Sequence, residues 1–213
     1  MNITHFGHAC VLVELDGGGR LLLDPGTYSG GFEEVTGLDA VLFTHEHPDH
    51  LDLGRLPALL EANPGARVIA DPGTSARLGE AAIEHETVTD GATVSVADAP
   101  VRVVGGDHAV IHPDLPCPHN NGYLIDGVLY HPGDAFAPPP APARVLLLPT
   151  GAPWMKAAEG IDYLRAVAPE IAIPIHQGGL AEVHRQLHYQ LFRNLGPDTA
   201  DVRVLDEGAA TAI

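Results

Sequence analysis

Seven residues constrain this chain more than any other stretch: Thr44-His45-Glu46-His47-Pro48-Asp49-His50. They follow directly on Ala40-Val41-Leu42-Phe43, an apolar run with the length and composition of a buried strand. A strand that runs out into three imidazoles and Asp49 delivers metal-type side chains to its C-terminal edge. In extended backbone, residues two apart face the same way, so His45 and His47 can share one ion. Pro48 breaks the extended path, and Asp49 and His50 follow on the turn, where they can face a second ion. Histidine and carboxylate without thiolate suit zinc, with manganese and iron as alternatives.

The rest of the chain has to build a core that can carry such a site. Its 213 residues fit one domain, and 45% hydrophobic residues supply the interior. A formal net charge of −17 repels phosphate backbones and anionic bilayers. The expected partner is therefore a small-molecule substrate, with no nucleic acid and no membrane; the sequence leaves the oligomeric state open. Met1 leads into a strand-like pattern without a basic leader, so a cytoplasmic location is the expectation. Two cysteines, Cys10 and Cys117, do not make a disulfide framework.

In order, the patterns predict strands over 2–6, 9–15, 20–23 and 40–43. A helix is expected over 51–62, stopped by Asn63-Pro64-Gly65. A strand over 67–70 follows, and Asp71-Pro72-Gly73-Thr74 then starts a short helix through about Ala82. Strand pairs are expected at 93–97 with 101–104, and at 122–125 with 128–130, the second joined by Asp126-Gly127. Residues 137–143 read as a stiff extended linker. Then come a strand at 145–148, a helix at 156–168, a strand at 171–175, a helix at 179–195 and a strand at 201–205. Hairpins open each half and strand–helix–strand units close it. This plan predicts an α/β fold of two sheets packed face to face with helices outside.

Three later strands also end in metal-type side chains. One ends in Gly105-Gly106-Asp107-His108, one in His131-Pro132-Gly133-Asp134, and one in His176-Gln177-Gly178-Gly179. With the first cluster they give His45, His47, Asp49, His50, His108, Asp134 and His176. Seven ligands are too many for one zinc and suit two.

The succession H-x-H-x-D-H, an isolated His, G-D and P-I-H resembles the metallo-β-lactamase fold superfamily, from Ile3 to His176. Leu23-Asp24-Pro25 matches that superfamily's first motif. Phe6-Gly7-His8-Ala9-Cys10, Tyr130-His131-Pro132-Gly133-Asp134 and Leu148-Pro149-Thr150-Gly151 look most like its ascorbate-6-phosphate-lactonase-like branch of bacterial metal-dependent hydrolases. The resemblance implies a four-layer αββα sandwich of two mixed sheets. It implies a dinuclear centre in which His45, His47 and His108 hold one divalent ion, Asp49, His50 and His176 hold the other, and Asp134 bridges them. It implies that a hydroxide between the ions cleaves an ester, lactone or phosphodiester, with Asp49 orienting it or moving its proton, and that Asp24 fixes the ligand loop. Asp134 stands where a cysteine would mark one class of β-lactamases, and His47 where a glutamate would mark the diiron members. Two readings stand beside hydrolysis: a metal-binding member without catalysis, and iron-dependent redox chemistry.

Other residues are weighed against ordinary roles. His8 is a candidate donor beneath the metals, and His131 reads as a structural hydrogen-bond partner. His112, His119 and the helical pair His184 and His188 read as surface. Trp154 and Tyr28 are candidate pocket residues, and Lys156 reads as surface. Arg55 and Arg144 are the arginines near the site in sequence.

Overall fold

The computed structural model describes residues 1–213. The first half lays down β1 (Asn2–His5), β2 (Val11–Glu14), β3 (Arg20–Leu23) and β4 (Ala40–Phe43). Helix α1 (Leu56–Ala62), strand β5 (Arg67–Ala70), helix α2 (Pro72–Glu80) and strand β6 (Glu86–Thr87) follow. The second half lays down β7 (Thr93–Val96), β8 (Ala99–Asp107), β9 (His119–Ile125), β10 (Leu129–His131) and β11 (Val145–Pro149). It continues with α3 (Ala157–Val167), β12 (Ile171–Ile175), α4 (Glu182–Leu195) and β13 (Asp201–Val202); the closing strand, β14 (Ala210–Ala212), crosses back to the first sheet.

Two seven-stranded sheets result, ordered β14-β1-β2-β3-β4-β5-β6 and β13-β12-β11-β10-β9-β8-β7. In the first, the pairs from β14 to β3 are antiparallel and those from β3 to β6 parallel. In the second, the pairs from β7 to β10 are antiparallel and those from β10 to β13 parallel. The halves thus share one plan, and β14 supplies the outer antiparallel strand that the first half lacks.

Alternation along the strands assigns the layers. Val11, Val13, Leu21, Leu23 and Leu42 meet Val101, Tyr123, Val145, Leu147 and Ile173 in the core between the sheets. Their neighbours Leu12, Leu22, Val41 and Phe43 face the other way, onto Leu56 and Leu59 of α1 and Leu78 of α2. Leu124, Leu146, Leu148 and Ala172 likewise face Ile161 and Leu164 of α3 and Phe192 of α4. This is the expected four-layer αββα sandwich.

Three local expectations are corrected, and a further strand appears. Helix α1 begins at Leu56 rather than at 51, because the Asp52 carboxylate takes the N–H groups of Gly54 and Arg55 and holds a turn there. Strand β8 runs on through Gly105 and Gly106 to Asp107 and β9 starts at His119, so the connection between the strands expected at 101–104 and 122–125 shortens to residues 108–118. The strand expected over 201–205 pairs only at Asp201 and Val202. Strand β14 carries no apolar pattern and joins β1 through its backbone. The Asp126-Gly127 turn forms as expected, both residues at positive φ (53° and 65°), with Val128 N–H closing on Ile125 O at 2.9 Å.

Candidate metal centre

The C-terminal ends of β3, β4, β8, β10, β11 and β12 gather at one rim, the usual ligand-binding edge of such sheets. The two sheets touch there by hydrogen bonds: Asn121 N–H to Thr44 O at 2.8 Å, Tyr123 Oη–H to Phe43 O at 2.7 Å, and His176 N–H to His8 O at 2.7 Å. All seven residues expected as ligands meet at this rim. Candidate ligand atoms of His45, His47 and His108 lie within 4.8 Å of one another, and so do those of His8, Asp49, His50 and His176, and those of His45, His50 and Asp134.

Asp134 lies between the sets. Its Oδ1 is 3.3 Å from His50 Nε2, and its Oδ2 is 3.0 Å from His176 Nε2 and 3.4 Å from His108 Nε2. The outer nitrogens of these rings are locked. His50 Nδ1–H donates to Asp24 Oδ2 at 2.7 Å, His108 Nδ1–H to Ala109 O at 2.6 Å, and His176 Nδ1–H to Gly151 O at 2.9 Å. That leaves the Nε2 of each facing inward. These three Nε2 atoms and Asp134 Oδ1 are buried and have no hydrogen-bond partner. Buried polar atoms are seldom left so. Imidazoles held by their far N–H with the near nitrogen free form a metal-ligand arrangement, and this donor set fits divalent ions.

Asp24 is the support beneath. It is fully buried, and its carboxylate accepts from Thr44 N–H (2.8 Å), Thr44 Oγ1–H (2.7 Å) and His50 Nδ1–H, with His131 Nε2 at 3.3 Å. Burial alone would raise its pKa, but His50 and His131 outweigh burial and hold it below the usual carboxylate range. Thr44 Oγ1, its proton given to Asp24, faces His45 Nδ1 at 3.1 Å, and His45 Nε2 sits 3.1 Å from His47 Nδ1. The rings at the centre divide by their surroundings. Burial pulls His45 well down, whereas Asp134 and Asp24 overcome burial and raise His50. Asp134, with its neighbours, raises His176 to about 9 against burial. The carboxylates thus draw positive charge to this point.

Three residues flagged beside the ligands have definite places. His8 is buried; its Nδ1 accepts from Gly178 N–H (3.1 Å), so its Nε2 carries the proton and donates to Asp49 Oδ2 at 3.0 Å. It therefore grips a candidate ligand rather than offering a lone pair. His131 Nδ1 accepts from Gly133 N–H at 3.0 Å, which turns its Nε2–H toward Asp24. Trp154 Nε1–H donates to Asp134 Oδ2 at 2.8 Å. His112 is exposed, His119 lies 3.7 Å from Asp71, and His184 and His188 sit on α4, outside these clusters.

The sequence did not single out Thr44 as a hub, nor Asn120. The Asn120 side chain holds the 132–134 turn, accepting from Asp134 N–H and donating to Pro132 O, both at 2.9 Å. Adjacent asparagines at the start of a strand were the signal for it.

A two-sheet αββα sandwich with a His/Asp rim of this kind defines a class of metal-centred domain. Residues 2–176 match the model of the "Beta-lactamase superfamily domain", and the chain belongs to that family. It is 49% identical to "Protein Rv0786c" of Mycobacterium tuberculosis over 99% of both chains. It is 30% identical to a "UPF0173 metal-dependent hydrolase" of Aeropyrum pernix, over 83% of this chain and 82% of that one. Among solved structures, the fold is that of Igni18, a metallo hydrolase from Ignicoccus hospitalis (TM-score 0.73, 22% identity, 99% and 97% of the chains covered). It is also that of the metallo-beta-lactamase fold protein YhfI from Bacillus subtilis (TM-score 0.71, 15% identity, 99% and 98% covered).

Proposed function

We propose that this chain is a metal-dependent hydrolase that holds two divalent ions and cleaves an ester, lactone or phosphodiester bond in a small molecule. One observation carries the reading: three buried Nε2 atoms, of His50, His108 and His176, converge on the Asp134 carboxylate, whose Oδ1 has no hydrogen-bond partner. His45, His47 and His108 would hold one ion, Asp49, His50 and His176 the other, and Asp134 both. The all-imidazole-and-carboxylate donor set favours zinc. The hydrolase names of relatives support the chemistry.

When bound, such ions supply Lewis acidity, lowering the pKa of water and polarising a carbonyl or phosphoryl oxygen. The chain's own residues do the rest. Asp49 is half-buried and opens onto the cleft. Burial works against its charge, but the neighbouring His176 imidazole and the hydrogen bond from His8 hold its pKa below the usual range, so it stays a carboxylate. In this reading Asp49 accepts a proton from water and returns it to a leaving oxygen. Asp24 and Thr44 hold the ligand loop, and Trp154 and Asn120 fix Asp134.

The test is metal content by mass spectrometry beside turnover on chromogenic ester, lactone and phosphodiester substrates. Two ions per chain and metal-dependent turnover are expected, with both reduced in His47→Ala. Full metal-dependent activity in His47→Ala would refute the ligand assignment. Two bound ions with silence across every substrate would favour a metal-binding protein without catalysis.

A further inference from the structure

Above the rim, two clefts meet at Asp49 and His176. The larger, about 420 Å³, is walled by Tyr28, Ala152, Pro153 and Leu180. The smaller, about 220 Å³, is walled by Ile111, Pro153 and Trp154. Beyond the imidazoles, the ionisable groups on these walls are Asp49, Asp134 and the Tyr28 phenol. Two of the apolar groups face solvent directly: Tyr28 is 61% exposed and Ile111 40%. Trp154 is fixed as a wall by its bond to Asp134 and by edge-on packing against Phe136 and His108.

The nearby cations are committed elsewhere. Arg185 of α4 gives Nε to Leu180 O at 3.0 Å, lies 3.8 Å from Glu182 and lines neither cleft. Arg55 gives Nη1 to Ser29 O and Glu33, Nη2 to Gly26 O, and Nε to Asp52. Arg144 stands at the start of β11, at the far end of the strand from the rim, and reaches toward Ile213 O. Lys156, the only lysine, is exposed before α3 and lines neither cleft. Apart from the two ions of the proposed centre, which would take up the charge of Asp49 and Asp134, the walls offer a phosphate group no guanidinium or ammonium. An uncharged group would cover the exposed tyrosine and isoleucine.

We infer that the substrate is a neutral carboxylic ester or lactone whose apolar acyl portion lies in the larger cleft, against Tyr28, Pro153 and Leu180. This rests on the hydrolase reading and narrows it, away from phosphoesters and from the sugar-phosphate lactone that the branch resemblance suggests. In the reaction, the oxygen of water bonds to the acyl carbon as the carbon–oxygen bond to the alcohol breaks. One proton of the water passes by way of Asp49 to the leaving alkoxide, and the other is released as the carboxylate forms.

The test uses the zinc-loaded full chain with p-nitrophenyl acetate, butyrate and hexanoate, γ-lactones of rising alkyl length, and bis(p-nitrophenyl) phosphate. Burying each added methylene against an apolar wall is expected to raise kcat/KM by about two- to fourfold. The hexanoate ester is expected to exceed the phosphodiester by more than tenfold. Tyr28→Ala, which removes an exposed ring, and Leu180→Ala are each expected to lower the hexanoate-to-acetate ratio several-fold. A flat or falling chain-length series, or a phosphodiester cleaved faster than the hexanoate, overturns the inference and leaves the hydrolase reading standing. If zinc-loaded protein turns over nothing, the hydrolase reading falls, and binding decides this one. Hexanoate is expected to raise the melting temperature more than acetate at equal concentration, the carboxylate being common to both; an equal or smaller rise overturns it.

Discussion

His8 offers the sharpest test of how the centre is held. Its left-handed backbone (φ 49°) is uncommon for a non-glycine residue, and its side chain is 2% exposed. Burial lowers its pKa to about 4, so the ring is neutral near pH 7 and its one proton is the Nε2–H given to Asp49. Its carbonyl accepts from His176 N–H at 2.7 Å and from His5 Nε2–H at 2.9 Å. One residue of the β1–β2 loop therefore ties two proposed ligands of the second ion, Asp49 and His176, and touches none of the first. In His8→Ala, Asp49 loses a hydrogen bond to a charged acceptor, worth about 1.5–3 kcal/mol. That is a factor of about 12 to 160, which matches the ten- to hundredfold loss usual when the support of a metal ligand is removed. The loss should fall on one ion. Zinc titration against a competing chelator is expected to give two sites in the wild type, and in His8→Ala one site of unchanged affinity and one weakened ten- to hundredfold. Trp154, the only tryptophan, bonds to Asp134 and supplies a fluorescence readout of loading. His8→Gln, whose terminal amide can still donate toward Asp49, is expected to recover most of the second site. Wild-type affinity at both sites in His8→Ala would refute the argument, and equal weakening of both would assign His8 a general structural role instead.

Two further predictions concern the loop over the first ligand cluster. A Cβ at Gly26 would lie 1.8 Å from Asp49 O and 2.5 Å from His50 N, so Gly26→Ala has to displace the peptide joining two proposed ligands. Overpacking of this kind costs about 1–3 kcal/mol, a drop of ~2–12 °C in Tm for a chain of this size, with loss of zinc; an unchanged melt and metal content would count against the packing. Arg55→Met removes hydrogen bonds to Gly26 O and Ser29 O and ion pairs to Asp52 and Glu33, for about 1–2 kcal/mol, since part-exposed ion pairs add little. Burial opposes the charge on Glu33, but bonds from its own N–H and from Arg55 depress its pKa. A depressed carboxyl stabilises fully above its unfolded pKa of about 4.3 and loses that contribution as pH falls through the folded value. The gap between wild type and Arg55→Met in urea unfolding is therefore expected to narrow from pH 6 to pH 3; a constant gap would mean that the Glu33 pair carries no weight.

Much of the framework was legible because it is written in short-range patterns. Strand alternation assigns Leu21 and Leu23 to one face and Leu22 to the other, and the candidate ligands stand in sequence directly after their strands. What was not legible depends on partners distant in the chain or on the backbone alone. His8 meets Asp49 across 41 residues and Gly178 across 170. Strand β14 pairs with β1 through peptide groups that any sequence carries. The helical spacing of Leu51, Leu56, Leu59 and Leu60 misled at its start, because apolar spacing does not register that Asp52 can take the N–H groups a first helical turn leaves free. The mouth of the site was hidden for a similar reason: Arg55 reads as a free cation until Glu33 and Asp52 are seen on it.

Backbone strain at the rim bears on how such a centre forms. Three non-glycine residues there adopt left-handed φ: His8 at 49°, Asp24 at 46° and His176 at 62°. Each costs on the order of 1–3 kcal/mol unless its surroundings enforce it. The enforcing bonds are local for Asp24, whose N–H reaches Leu42 O and whose carboxylate holds Thr44 and His50. For the other two they cross between the sheets, His176 N–H to His8 O and Gly178 N–H to His8 Nδ1. The two halves therefore hold each other's strained residues in place. Neither sheet alone can hold the proposed ligand set, because Asp49 and His50 come from one, while Asp134 and His176 come from the other. On this argument, ions that bind only the docked sheets stabilise the docking itself, by RT ln(1 + [L]/Kd) for each site. Loss of His8 weakens the second ion and the docking together.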